Sequence, residues 1–245
     1  MFIDKKFRVP RIWSNRELRR FAGLFEGDIV NVSGWKDMDK EGGFYRDYFS
    51  NASTYTITNY NPDKTSCKEK EPEIVLDLEN RLPDELVSRF DVVFNHTVLE
   101  HVYDFRTAFH NLCLMTRDIV IIVVPFLQQM HVHDNYGDYW RFSPLALKRM
   151  FEEEGLQILY SSFNENVGCS VYLFFIASKQ PCKWTDSFPP FKFTHRTSRR
   201  FLLDDFNQNH TGCRSIKNNL ITSIVNKLRW KKIKMLPELW RQANH

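Results

Sequence analysis

The stretch Phe90-Asp91-Val92-Val93-Phe94-Asn95-His96-Thr97-Val98-Leu99-Glu100-His101-Val102 constrains the fold more than any other part of the chain. An aspartate opens a short apolar run, polar residues close it, and a helix-like Val-Leu-Glu-His follows. A run that is apolar on both faces reads as an inner strand of a parallel sheet, covered above and below. Side chains at the C-terminal end of such a strand enter the crevice in which open α/β sheets hold their ligands.

The rest of the chain supplies neighbours for that strand. Ser14-Asn15-Arg16-Glu17 has the pattern of a capping box, and Leu18, Phe21, Ala22 and Phe25 follow at helical spacing, predicting a helix over 14–25. Strands are expected at Asp28–Val32, Thr54–Tyr60, Glu73–Leu78, Phe90–Asn95, Asp118–Pro125, Leu156–Phe163 and Ser170–Ser178. Ser33 to Ser50 reads as a long loop with one helical turn, and Pro62 to Glu71 as polar and turn-like. Short helices are predicted over Pro83–Arg89 and Asp104–Met115, and a third over Ser143–Glu154, capped by Ser143-Pro144 and closed by Gly155. Strand alternating with helix, with two adjacent strands last, predicts an α/β domain built on a mostly parallel sheet with helices on both faces.

Charge divides the chain at residue 180. Residues 181–245 carry 13 Lys/Arg against 4 Asp/Glu, whereas residues 1–180 carry 21 against 26. The division predicts a body over 1–180 and a basic, partly helical extension over 181–245, entered through the proline-rich stretch Pro181–Pro190. Helical stretches are expected near 196–206 and 215–232. The longest apolar run, Ile119 to Val124, is far too short to span a bilayer. The first residues hold no apolar core of signal-peptide length, so a cytoplasmic protein is expected. Five widely spaced cysteines with no CxxC read as free thiols.

The order of elements, the block Pro125-Phe126, His131 or His133, Asp138-Tyr139-Trp140-Arg141-Phe142 and Ser143-Pro144, and the Leu99-Glu100-His101 trio after the fourth strand resemble class I S-adenosylmethionine (SAM) dependent methyltransferases. The resemblance covers about residues 14–178. It is nearest to a type 11-like bacterial subgroup associated with polysaccharide biosynthesis, and it implies a Rossmann-like, seven-stranded sheet. In that family the first strand feeds a glycine-rich turn, because only glycine lets backbone approach the cofactor closely. Here Asn31-Val32-Ser33-Gly34-Trp35 keeps one glycine and carries a tryptophan where a small residue usually stands. The acid that holds the ribose hydroxyls is matched by Asn59, and the acid that meets the adenine amino group by Asp77. The resemblance thus implies SAM as cofactor, with Ser33, Gly34, Asn59, Asp77, Leu78, Asn95 and His96 as its contacts. Trp35 has two readings, as a lid over the ligand or as a plug in its pocket.

Methyl transfer to a hydroxyl needs in-line placement and a base near the departing proton. Histidine suits that task because its unperturbed pKa is about 6.5. Four histidines stand at strand ends facing the crevice: His96 and His101 after the fourth strand, His131 and His133 after the fifth. His131 and His133 are the candidate base, and which of them matches the family's histidine is left open. A metal held by His131, His133 and Asp134 or Asp138 lacks any further Cys/His pair at ligand spacing, and no metal is predicted. Tyr136, Tyr139, Trp140 and Arg141 suit a sugar or phosphate acceptor, since aromatic faces pack on pyranose rings and guanidinium forks grip anions. The structural alternative is that Trp140 and Phe142 pin the insert to the sheet while Arg141 pairs with Asp138.

The apolar residues of 215–236, from Leu220 to Leu236, interleave with Lys227, Arg229, Lys231, Lys232 and Lys234. Such a stretch can lie on an anionic membrane, dock on a protein or cover its own sheet. The basic residues follow no nucleic-acid module. The expected protein is a cytoplasmic SAM-dependent methyltransferase, peripheral to the inner membrane face if its tail binds lipid. Its expected acceptor is a saccharide, a nucleotide-sugar or a lipid-linked glycan. The alternative is a catalytically silent scaffold of the same fold in a glycan-assembly complex.

Overall fold

The computed structural model describes residues 5–60, 73–130, 132, 136–164 and 169–191. His131, His133, Asp134, the segment 62–71 and the stretches 196–206, 215–232 and 215–236 lie outside the described residues. Seven strands form one sheet: β1 (Gly27–Val32), β2 (Ala52–Asn59), β3 (Glu73–Val75), β4 (Phe90–His96), β5 (Thr116–Leu127), β6 (Gln157–Phe163) and β7 (Val171–Ser178). Their order is β3-β2-β1-β4-β5-β7-β6. All neighbours are parallel except β7, which runs antiparallel to both β5 and β6.

Period-two alternation sorts the strand residues between two cores. On one face Val30, Val93, Val120, Ile122 and Phe175 meet helices α2 (Phe105–Met115) and α3 (Pro144–Glu153). On the other, Ile29, Phe94, Ile121 and Phe174 meet α1 (Lys5–Phe21), the loop residues Tyr45 and Phe49, and Trp184 with Phe188. Fully burying a side chain such as Phe94 contributes about 1.5–3 kcal/mol, so both faces are strongly specified. Trp184 donates its indole N–H to Asp118 Oδ2 at 2.9 Å, and the packed body runs on past residue 180 to Phe188. Among the described residues no helix is long and apolar enough to cross a membrane.

Helix boundaries differ from expectation in two places. The first helix starts at Lys5, not Ser14, and carries Pro10 inside it. Ser14 is therefore no cap: its hydroxyl donates to the Arg11 carbonyl at 2.9 Å, a back-bond open to serine within helices. The segment Pro83–Arg89 holds only a 3-10 turn, Asp84–Leu86, too short to nucleate an α-helix. The cap of α3 is as expected, with Ser143 accepting from the Ala146 amide at 3.1 Å, and Asp104 caps α2 in the same way through the Thr107 amide at 3.1 Å.

Candidate functional site

The chain leaves β1 for β2 on one side and returns to β4 on the other, so the sheet's switch point lies between the tips of β1 and β4. Open α/β sheets bind ligands at that point. Ser33 and Gly34 follow the tip of β1, Asn59 ends β2, Asp77 and Leu78 follow β3, and Asn95 and His96 end β4. The fold thus brings all seven residues to one edge of four adjacent strands, β3-β2-β1-β4.

The β1–β2 part of that edge is tightly bonded. Gly34 donates its amide to the Thr58 carbonyl at 3.1 Å and accepts from the Asp37 amide at 2.8 Å. A Cβ at position 34 would lie 2.6 Å from Asn31 Nδ2, so only glycine lets the chain cross Asn31 here. Asn59 accepts from the Trp35 amide at 2.7 Å and donates to the Trp35 carbonyl at 3.2 Å. Both ends of its amide therefore hold the turn at Trp35, whose φ is 50°. The indole is 45% exposed beside the ammonium groups of Lys36 and Lys40, so it is not a buried plug.

No α-helix follows this turn. Residues 36–51 are held instead by two buried carboxylates. Asp37 accepts from Asn31 Nδ2 at 2.8 Å, Tyr55 Oη at 2.7 Å and the Arg46 amide at 3.0 Å. Burial raises its pKa above the usual carboxylate value although those donors oppose the shift. Asp39 accepts from the amides of Glu41 and Gly43 at 2.7 and 2.9 Å and from Tyr48 Oη at 2.7 Å. After β3, Asp77 caps its own turn through the Glu79 amide at 2.9 Å and Asn80 Nδ2 at 2.8 Å.

Beyond β1 the bonding thins. Asn95 donates to the Val32 carbonyl at 3.1 Å, but its buried Oδ1 finds no hydrogen-bond partner among the described residues. His96 sits on the α1 side of the sheet, with Nε2 2.8 Å from Ser14 Oγ and Nδ1 3.2 Å from Thr97 Oγ1. Burial, then the nearby Arg11 charge, pushes its pKa well below the ordinary histidine value. The ring is therefore neutral near pH 7, and it ties β4 to α1. Thr97 follows with φ 53°, a conformation that a β-branched residue adopts only under constraint.

Three residues absent from the sequence-based assignment complete this end. Arg11 reaches from α1 to Thr97 Oγ1 at 2.9 Å. Tyr45 Oη is buried without a hydrogen-bond partner among the described residues, and so is Glu100 Oε2. Glu100 is 1% exposed, and burial pushes its pKa up to about 8. The Leu99-Glu100-His101 trio pointed at the histidine, but the less common object is the acid beside it. His101 Nδ1 lies 2.6 Å from the Gly137 carbonyl, and its ring contacts Tyr136 at 4.4 Å between centroids.

The insert after β5 shows how its polar residues are used. Arg141 makes a bidentate pair with Asp138 at 2.5 and 2.7 Å and also donates to the carbonyls of Gln128 and Gln129. Trp140 donates to the Tyr103 carbonyl at 3.0 Å and meets Phe105 edge-on. Tyr136 and Tyr139 stand more open, Tyr139 with its ring edge-on to Tyr103 at 5.5 Å. Among the described residues no group of three or more His, Cys, Asp or Glu is placed to hold a metal.

Strand order 3-2-1-4-5-7-6, with the last-formed strand inserted antiparallel, decides the architecture. The fold is that of SAM-dependent methyltransferases. No protein-family model matches the sequence, and no curated protein matches it either. The likeness is to solved structures. A SAM-dependent methyltransferase from Clostridium acetobutylicum superposes with a TM-score of 0.52 at 10% identity, over 72% of this chain and 96% of its own. The 1,6-didemethyltoxoflavin-N1-methyltransferase of Burkholderia thailandensis, solved with its substrate and S-adenosylhomocysteine, gives 0.51 at 13% identity over 73% and 85%. Magnesium protoporphyrin IX methyltransferase from Synechocystis, solved with SAM, gives 0.50 at 10% over 73% and 84%. At such identities the likeness is one of fold.

Proposed function

We propose that this chain is a SAM-dependent methyltransferase acting on a saccharide, nucleotide-sugar or lipid-linked glycan acceptor, in the cytoplasm or at the inner membrane face. The observation that carries the cofactor reading is Asn95. Its buried, unpartnered Oδ1 stands at the β1–β4 switch point, an acceptor that costs free energy unless a donor reaches it. An amino-acid ammonium group, such as the one on the methionine end of SAM, is a donor of the right kind. Gly34 lets the backbone turn beside it, Asp77 offers a carboxylate at the tip of the third strand, and Asn59 shapes the wall by fixing the Trp35 turn. When bound, SAM supplies an electrophilic methyl group. The protein then has to hold the acceptor in line and receive its proton.

The acceptor class rests on the exposed ring of Tyr139 beside Tyr103, a face suited to a pyranose, and on the resemblance of the Asp138-Tyr139-Trp140-Arg141-Phe142 block. Arg141, locked to Asp138, orients the block in this reading, and His131 or His133 serves as base. One observation favours the rival reading of a silent scaffold: the Asn59 amide, where an acid would grip ribose, is spent on Trp35. Calorimetric titration with S-adenosylhomocysteine separates the two. Micromolar binding that weakens at least tenfold in Asp77→Ala, a loss of about 1.4 kcal/mol, is the expected result. No heat at millimolar ligand would overturn the enzyme reading and leave the scaffold.

A further inference from the structure

Arg11 is the least explained charge in the body. Its side chain crosses from α1 to the tip of β4, where it donates to the Thr97 hydroxyl at 2.9 Å, and the Tyr172 phenol lies close to it. No carboxylate among the described residues lies within ion-pairing distance of it, whereas Arg19, Arg20, Arg46, Arg117 and Arg141 all have one. Burial opposes its charge, and the groups around it, Tyr172, Tyr45, Glu100 and Tyr136, favour the cation only when they are themselves ionised. A partly buried cation without a paired anion carries a desolvation cost that a bound anion would offset.

Two of the surrounding groups are themselves incomplete. Tyr45 is 4% exposed and Glu100 still less, and Tyr45 Oη and Glu100 Oε2 lack partners among the described residues. At neutral pH the three groups have one thing in common. Arginine has N–H donors only, the phenol keeps its proton, and the raised pKa of Glu100 keeps its carboxyl protonated. Arg11 can only donate, and the phenol and the carboxylic acid each hold a proton with no acceptor assigned to it. Strain at Thr97 marks the same spot, since its left-handed backbone presents the hydroxyl that Arg11 uses.

We propose that Arg11, Tyr45 and Glu100 form an oxyanion-binding subsite on the α1 side of the crevice, which takes a carboxylate or phosphate group of the acceptor. This rests on the methyltransferase reading only in naming the acceptor as the bearer of that group. An acidic sugar and a phosphorylated sugar present the same chemistry to a guanidinium fork and two hydroxyl donors.

The test uses the full chain with 15N-labelled arginine, the Arg11 Nε–H signal being assigned by its absence in Arg11→Lys. Sodium acetate and sodium phosphate are titrated separately at constant ionic strength near neutral pH. The expected result is a saturable shift of the Arg11 signal with one ion or both, and the ion that binds more tightly tells carboxylate from phosphate. Tyr45→Phe should raise the dissociation constant about tenfold, the loss of one charge-assisted hydrogen bond. Arg11→Met should fold at least as well as the parent and leave no saturable response to either ion at the Tyr45 ring. If Arg11→Met does not fold, the wild-type titration decides alone. A wild-type Arg11 signal indifferent to both ions overturns the proposal, as does an Arg11→Met protein that binds them equally well. Neither result touches the S-adenosylhomocysteine titration, so the two readings fail separately.

Discussion

The two halves of the crevice are built on opposite terms. At the tips of β1 and β2, Asp37, Asp39 and Asn59 have their polar atoms taken up by neighbours within the fold. Around the tip of β4, Asn95, Glu100 and Tyr45, whose ring reaches His96 from the β1–β2 connection, each keep a buried atom without a partner among the described residues. A buried polar group that is bonded stabilises shape, and one left over costs about 1–3 kcal/mol. The first half therefore reads as a scaffold that replaces a helix, and the second as the place where a ligand supplies what is missing.

The strongest way to break that contrast is to remove the scaffold. Asp37→Ala takes the acceptor from the buried Asn31 Nδ2 and from Tyr55 Oη and the Arg46 amide, which are half-buried. The expected loss is about 3–5 kcal/mol in denaturant unfolding with an unchanged slope, from penalties of roughly 1–3 kcal/mol per group. A loss below about 1 kcal/mol would mean that the loop rearranges freely and that its bonds define nothing.

Glu100 tests the other half. Its ordinary pKa of 4.5 is pushed up to about 8 by burial, so the folded protein keeps a proton that the unfolded chain releases. The native state binds more protons across that window, and stability must fall as pH rises from about 4.5 to about 8, then level off. This is the reverse of a salt-bridged carboxylate. Glu100→Gln cannot ionise, and its stability relative to the parent should improve steadily over the same range in chemical denaturation. Parallel pH profiles for the two proteins would show that Glu100 is ionised in the fold and has no proton to donate.

Much of this architecture is legible in the sequence, and the reasons are local. Asp28–Val32, Phe90–Asn95 and Asp118–Pro125 are apolar runs whose burial forces strands, and Ser143 announces its helix through a side chain that bonds three residues away. The same holds for the family block, whose Arg141–Asp138 pair closes over three positions. What escapes notice depends on distant partners. The capping-box pattern starts the expected helix at Ser14, so Arg11 falls outside it, and its neighbours Thr97 and Tyr172 lie far along the chain. Glu100 stands beside a histidine that attracts the chemical reading, and nothing in the trio says which side chain is buried without a partner. Asp37 and Asp39 look like loop acids in contact with water until Asn31, Tyr55 and Tyr48 close on them.

The smallest effect belongs to Asn59, and it sharpens the contrast most directly. Asn59→Asp keeps an acceptor for the Trp35 amide and strengthens it with charge, but it removes the donor to the Trp35 carbonyl. The two changes nearly offset each other, and the expected net loss of stability is about 1 kcal/mol or less. If the side chain serves the turn alone, S-adenosylhomocysteine should bind the variant and the parent with affinities that agree within a factor of about two, since a lost ligand bond would cost closer to tenfold. A variant that binds about ten times more tightly would mean that the new carboxylate turns from Trp35 to the ribose, the position where the family pattern expects an acid. The saturated half would then be a site with one contact weakened by a single amide, and the division between scaffold and ligand pocket would move from β1 to β2.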